Sequence, residues 1–102
     1  MIRSARWIQL VASPGREHDV GAFLIDALPA AQRDEATKCW FGVRLDHRTF
    51  AIFDALDRER LPEAGVSGAI GEALKDRAGS LFYRTPEIRW GDVLAAKLPH
   101  SI

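Results

Sequence analysis

The sequence predicts an α+β domain with the element order β-α-β-β-α-β, and three observations carry that expectation. A run of β-formers is followed by an apolar stripe at helical spacing. Two further β-rich runs are then separated by only a short polar connection. A second helical face follows, and after it a last β-rich run. Two helices split by a central hairpin imply the ferredoxin-like, split βαβ arrangement, a four-stranded antiparallel sheet with both helices on one face.

Each element has a local reason. Arg6 to Ala12 is rich in β-formers and stops at Ser13-Pro14-Gly15, a turn signal. Val20, Phe23, Leu24, Ala27, Leu28 and Ala31 then recur at i, i+3, i+4, i+7, i+8 and i+11, one stripe of an α-helix. Glu17 and Asp19 suit the positive end of that helix. Pro29 is expected to kink or end it near Leu28. Thr37–Arg44 and Thr49–Leu56 read as strands joined by Leu45-Asp46-His47-Arg48 into an antiparallel hairpin. Pro62 suits the first turn of the second helix, Val66, Ile70, Ala73, Leu74 and Arg77 give it a face, and Gly79 is the expected stop. Ile88 to Leu98 reads as the last strand, ended by Pro99.

Composition narrows the function. The 102 residues read as one domain, 1–102, with no linker, low-complexity tract or solenoid-period repeat. Lys plus Arg and Asp plus Glu are 14 each, so no net charge draws the chain to nucleic acid. A single cysteine, Cys39, allows neither an internal disulfide nor a cysteine-built zinc site, and reads as a small packed side chain. The basic start lacks the apolar core of a signal peptide, and no stretch is long enough to span a membrane. The expected location is the cytoplasm.

The strands carry apolar groups on both faces. Ile8 and Leu10 alternate with Trp7, Gln9 and Val11, Phe50 and Ile52 with Ala51, Phe53 and Ala55, and Trp40 and Gly42 with Cys39, Phe41 and Val43. Two helices cover one face only. A bare second face would be an apolar patch larger than monomers usually expose. The expected solution is a two-fold homodimer that joins these faces.

Four segments bear a resemblance to a known family: Ser13-Pro14-Gly15-Arg16-Glu17 at the first helix, Trp40-Phe41-Gly42-Val43-Arg44, Thr49-Phe50-Ala51-Ile52-Phe53-Asp54-Ala55 and Asp92-Val93-Leu94-Ala95-Ala96-Lys97. With them the chain resembles the antibiotic biosynthesis monooxygenase family of the dimeric α/β-barrel superfamily. The resemblance implies a ferredoxin-like subunit whose sheet pairs with its twin, and a cavity between sheet and helices. It also implies oxidation of aromatic polyketides or quinols without metal or flavin, or haem breakdown. The chain departs from the haem-degrading branch: it has no asparagine, and Gly65 stands where many relatives place a histidine.

The candidate site residues each have two readings. Trp40, Phe53, Phe82 and Trp90, with Gly65 leaving room, read as an aromatic pocket for a flat hydrophobic ligand or as plain core and dimer packing. Tyr83 offers a hydroxyl handle. Asp54, in an otherwise apolar strand, reads as a general base or as the partner of Lys97, Arg44 or another arginine. Asp92 has the same two readings. Gln9 could orient a substrate carbonyl or bond a neighbour. His18, His47 and His100 lack metal-ligand spacing and read as surface residues, so no metal is expected. Gly65, Gly68 and Gly71 are not spaced as a phosphate loop, and Ser67 lacks the preceding strand of a nucleophile elbow. The functional expectation is a cofactor-independent monooxygenase for an aromatic or quinol-like molecule. The alternative is a non-catalytic dimer that binds a small hydrophobic ligand.

Overall fold

The computed structural model describes residues 2–57 and 68–99. The elements are β1 (Ser4–Val11), α1 (Glu17–Arg33), β2 (Thr37–Arg44), β3 (Thr49–Leu56), α2 (Gly68–Leu81) and β4 (Glu87–Asp92). The strands form one sheet in the order β2-β3-β1-β4, antiparallel throughout. This is the expected ferredoxin-like subunit.

The core lies between the sheet and the two helices. Ile8, Leu10, Phe50 and Ile52 from the central strands meet Val20, Phe23 and Leu24 of α1 and Leu74 and Leu81 of α2. Strand alternation puts Ser4, Arg6, Ile8 and Leu10 on the covered face, and the half-buried Ala5, Trp7, Gln9 and Val11 on the other. The turn into α1 is fixed by the backbone: Arg16 N–H donates to Ser13 C=O at 2.9 Å. Gly15 there has φ +83°, which Gly adopts freely after a Pro in a type II turn.

Strand β1 spans Ser4–Val11 rather than Arg6 to Ala12, and three other boundaries also differ from expectation. Helix α1 runs through Pro29 to Arg33. Proline leaves the Ile25 carbonyl without its helical donor. Ile25 is 74% exposed and Pro29 is exposed, so that side of the helix faces water, while Ala27 and Ala31 on the other side stay buried. Helix α2 runs past Gly79 to Leu81, because Leu81 (0% exposed) anchors the last turn in the core. Strand β4 stops at Asp92, not Leu98. Asp92 pairs with Ser4, the first residue of β1, and one more backbone bond, from Val93 N–H to Arg3 C=O at 3.0 Å, ends the pairing there. Pro62, Gly65, Val66 and Ser67 lie outside the described residues.

The β2–β3 connection is held by one carboxylate. Asp46 Oδ1 accepts the backbone N–H groups of Arg48 at 2.9 Å and Thr49 at 2.8 Å. The Arg48 N–H first, then the Thr49 N–H and hydroxyl, hold the Asp46 carboxyl below its ordinary value of 3.8. A folded-state value below the unfolded one stabilises the fold above the unfolded value, and that stability is lost as pH falls through the lowered value. Asp46→Ala is therefore expected to be less stable than wild type at pH 7, with the difference closing as pH falls below the ordinary value. Urea denaturation across that range measures it, and a gap that stays constant down to pH 2 would contradict this account.

Candidate ligand-binding site

The covered face of the sheet turns polar along one line. Trp40 lies opposite Asp54, Asp54 opposite Arg6, and Arg6 opposite Trp90, so these side chains form a row across β2-β3-β1-β4. Arg6 is 4% exposed and Asp54 1%. Arg6 Nε donates to Asp54 Oδ1 at 3.0 Å, and Nη2 makes a second, short bond to Oδ2. Such a fork is the geometry in which mutual attraction offsets the desolvation of two buried charges. The guanidinium carbon also sits 5.3 Å from the Trp90 ring centroid, a cation–π contact.

Trp40 packs against the core beneath α1. Its neighbour on the same face is Gly42. A Cβ there would lie 3.3 Å from Leu24 Cβ and 3.4 Å from Trp40 Cη2, so the absent side chain gives the indole room beside α1. Two buried donors in the row, Arg6 Nη1 and Trp40 Nε1, have no acceptor among the described residues. Buried polar groups are nearly always satisfied, so each such donor calls for an acceptor. The row thus sets indole rings beside N–H groups that lack an acceptor among the described residues.

The sequence candidates do not converge on one pocket. Asp54, Trp40 and Trp90 share the covered row. Phe53 is on the opposite, open face and 38% exposed, between Trp7 (ring centroids 6.3 Å) and Phe41 (6.5 Å). Gln9 is on that face too, accepting from Trp7 Nε1 at 3.4 Å. Phe82 is core, edge-on to Phe23 at 5.9 Å. Tyr83 is 64% exposed with the Arg48 guanidinium 5.3 Å from its ring centroid. A single pocket shaped by Trp40, Phe53 and Tyr83 is thus ruled out by strand alternation, which sends Trp40 and Phe53 to opposite sides. Of the two readings of Asp54, the ion pair is the one present, with Arg6 as partner; both carboxylate oxygens are occupied. Asp92 is exposed at the end of β4.

Arg6 is the residue that inspection of the sequence passes over. The signal was there: Ile8 and Leu10 face the helices, and the residue two before Ile8 is Arg6. The same step from Phe50 and Ile52 reaches Asp54.

The open face carries a second concavity. The segment 93–99 leaves β4 and bounds an open cleft of ≈ 940 Å³ against Ala5, Cys39, Phe41, Phe53 and Ala55. Its walls are mainly apolar, with Lys38, Asp92 and Lys97 also lining it, and Leu94 in that segment is 96% exposed. Cys39 is half-buried there. Among the described residues no group of three or more His, Cys, Asp or Glu side chains is placed to hold a metal ion, and His18 and His47 are exposed. No helix among the described residues is long and apolar enough to cross a membrane.

Comparison with protein-family models gives no match, and comparison with curated proteins gives none either. Solved structures do match. A protein of unknown function from Nitrosomonas europaea is 37% identical, with 99% of this chain and 98% of that one covered and a TM-score of 0.91. A protein named as a candidate antibiotic biosynthesis monooxygenase from Bordetella bronchiseptica is 18% identical over 93% of this chain and 100% of its own, with a TM-score of 0.70. Another so named, from Deinococcus radiodurans, is 13% identical over 96% and 99%, again with a TM-score of 0.70. At those identities the last two establish the fold. The chain therefore belongs to one family with the Nitrosomonas europaea protein, and its subunit has the antibiotic biosynthesis monooxygenase fold.

Proposed function

We propose that this chain is a cytoplasmic, homodimeric monooxygenase that oxidises an electron-rich aromatic or quinol-like molecule with dioxygen as its only oxidant. The observation that carries the reading is the buried row in which the Arg6–Asp54 pair is flanked by Trp40 and Trp90, with two N–H donors left over. Indole faces suit a flat ring, and N–H donors suit its oxygen. The names of the Bordetella and Deinococcus structures agree with this chemistry. The open face, with Trp7, Phe53 and Phe41 in a line, supports the homodimer.

The chemistry asked of the site is modest. The substrate loses a proton to solvent, from the ring CH2 of an anthrone or from a hydroxyl of a quinol, and becomes an electron-rich enolate or phenolate. An N–H donor beside its oxygen stabilises the charge that develops there. The carbanion reacts with dioxygen to give a hydroperoxide, which loses water. The ring CH2 of an anthrone, or one ring CH and a hydroxyl proton of a quinol, and O2 thus become a C=O and H2O. One oxygen atom enters the product and the other leaves as water.

Oxygen uptake with anthrone and with a naphthohydroquinone tests the proposal. Uptake above the buffer rate, with one atom of 18O from labelled dioxygen in the anthraquinone formed from anthrone, is the expected result. No uptake above buffer with either compound would remove the enzymatic reading. A second reading, ligand binding without turnover, is favoured by one observation: Asp54 has both oxygens on Arg6 and is not free to act as a base. Ligand binding without oxygen uptake would establish it.

A further inference from the structure

We infer that residues 93–99 form an arm that clasps a second copy of this chain, and that the open sheet face of that copy seats in the cleft beneath the arm. The inference rests on the proposed homodimer and deepens it. The sheet faces alone do not complete the contact, and each subunit lends the other an arm.

The arm serves little in its own subunit. It belongs to no helix or strand, and among the described residues its backbone is tied down only where Val93 N–H donates to Arg3 C=O at 3.0 Å. Residues 94–99 are all exposed. Leu94 lines the cleft, yet 96% of its surface is open to water. An apolar segment with no other role would fold down and bury its leucines. This one stands off, leaving ≈ 940 Å³ between itself and Ala5, Phe53 and Ala55.

Three observations name the occupant. The first is continuity. Phe41 and Phe53 line the cleft and also belong to the aromatic line that starts at Trp7 on the open face. Whatever covers that face therefore enters the cleft as well. The second is area. A face of four strands measures about 26 by 19 Å, roughly 500 Å2, whereas a standard interface takes about 800 Å2 from each partner. The arm, about 23 Å long when extended, supplies the remainder. The third is self-complementarity. In a two-fold contact each patch meets its complement on the other copy. This chain carries both halves, an apolar arm and an apolar face, so one rotation seats both arms at once. The charged groups of the lining, Lys38, Asp92 and Lys97, are exposed and of both signs. That suits the wet rim of a protein interface better than the head of an anionic lipid.

Cys39, the chain's single thiol, lines the cleft and reports on it. In one subunit it is half-buried, and in the clasped pair it would be covered. Its alkylation by iodoacetamide is followed by mass spectrometry across a dilution series, beside sedimentation equilibrium, for the full-length wild type, Leu94→Asp and Leu98→Asp. The wild-type thiol is expected to react about tenfold or more slowly where the protein is two-copy than where dilution has separated it. Leu94→Asp should raise the dissociation constant about tenfold or more and free Cys39 in step. Its circular dichroism should stay that of the wild type, since Leu94 is almost wholly exposed in its own subunit. Leu98→Asp should act in the same direction. A two-copy wild type whose association neither substitution weakens, or whose Cys39 reacts as fast as in the separated subunit, would overturn the arm and leave the homodimer standing. A single-copy wild type would overturn both. Protection of Cys39 that appears only on adding oleate would give the cleft to a lipid and sink the inference.

Discussion

Arg6→Met is expected to lower the free energy of unfolding by about 3–5 kcal/mol, the usual result of stripping one partner from a buried ion pair. Asp54 is 1% exposed, and its oxygens are both committed to Arg6. Without the guanidinium it must ionise alone in an apolar layer or bind a proton. For a domain whose whole stability is of order 5–15 kcal/mol, that loss is severe. The double variant Arg6→Met/Asp54→Leu should recover most of it, because an apolar pair of similar volume carries no desolvation penalty. Urea denaturation of the wild type, both single variants and the double variant forms a complete cycle. Additive effects, with the double variant as unstable as the sum of the singles, would show that the pair is not the reason these residues are buried.

Phe53→Glu is expected to separate the subunits. Phe53 is on β3, one of the two central strands, in the middle of the Trp7–Phe53–Phe41 line on the open face. At 38% exposure in the single subunit, its ring is free to become a carboxylate without emptying the core. In the proposed homodimer it would be covered. Central aromatic residues at interfaces typically contribute 2 kcal/mol or more, so association should weaken by about 30-fold or more. Sedimentation should show a two-copy wild type and a single-copy variant with an unchanged circular dichroism spectrum. A wild type that sediments as a single copy at micromolar concentration would overturn the homodimer.

Local pattern made most of the fold readable. Period-two alternation in β1, and the stripe Val20, Phe23, Leu24, Ala27 and Ala31, correspond to the faces now seen buried, whereas β3 is buried at every position from Phe50 to Leu56 except Phe53. The errors came where a local rule met a stronger non-local one. Proline at position 29 costs about 3 kcal/mol in a helix interior. Burial of Ala27, Ala31 and their neighbours keeps α1 going beyond it. Gly79 could have ended α2, but Leu81 and Phe82 had core contacts still to make. The apolar run after Asp92 looks like strand, and in sequence nothing shows that β1 has run out of residues to pair with it.

The candidate site was legible only as separate residues. Composition and spacing identified a buried carboxylate, three tryptophans and a sheet with two apolar faces. Each strand's alternation follows from backbone geometry alone, so the faces could be assigned one strand at a time. The register between strands could not: it depends on how β1 slides against β3 and β4, through contacts dozens of residues apart. That register sets Trp40, Asp54, Arg6 and Trp90 on one line, and sends Phe53 and Gln9 to the opposite side.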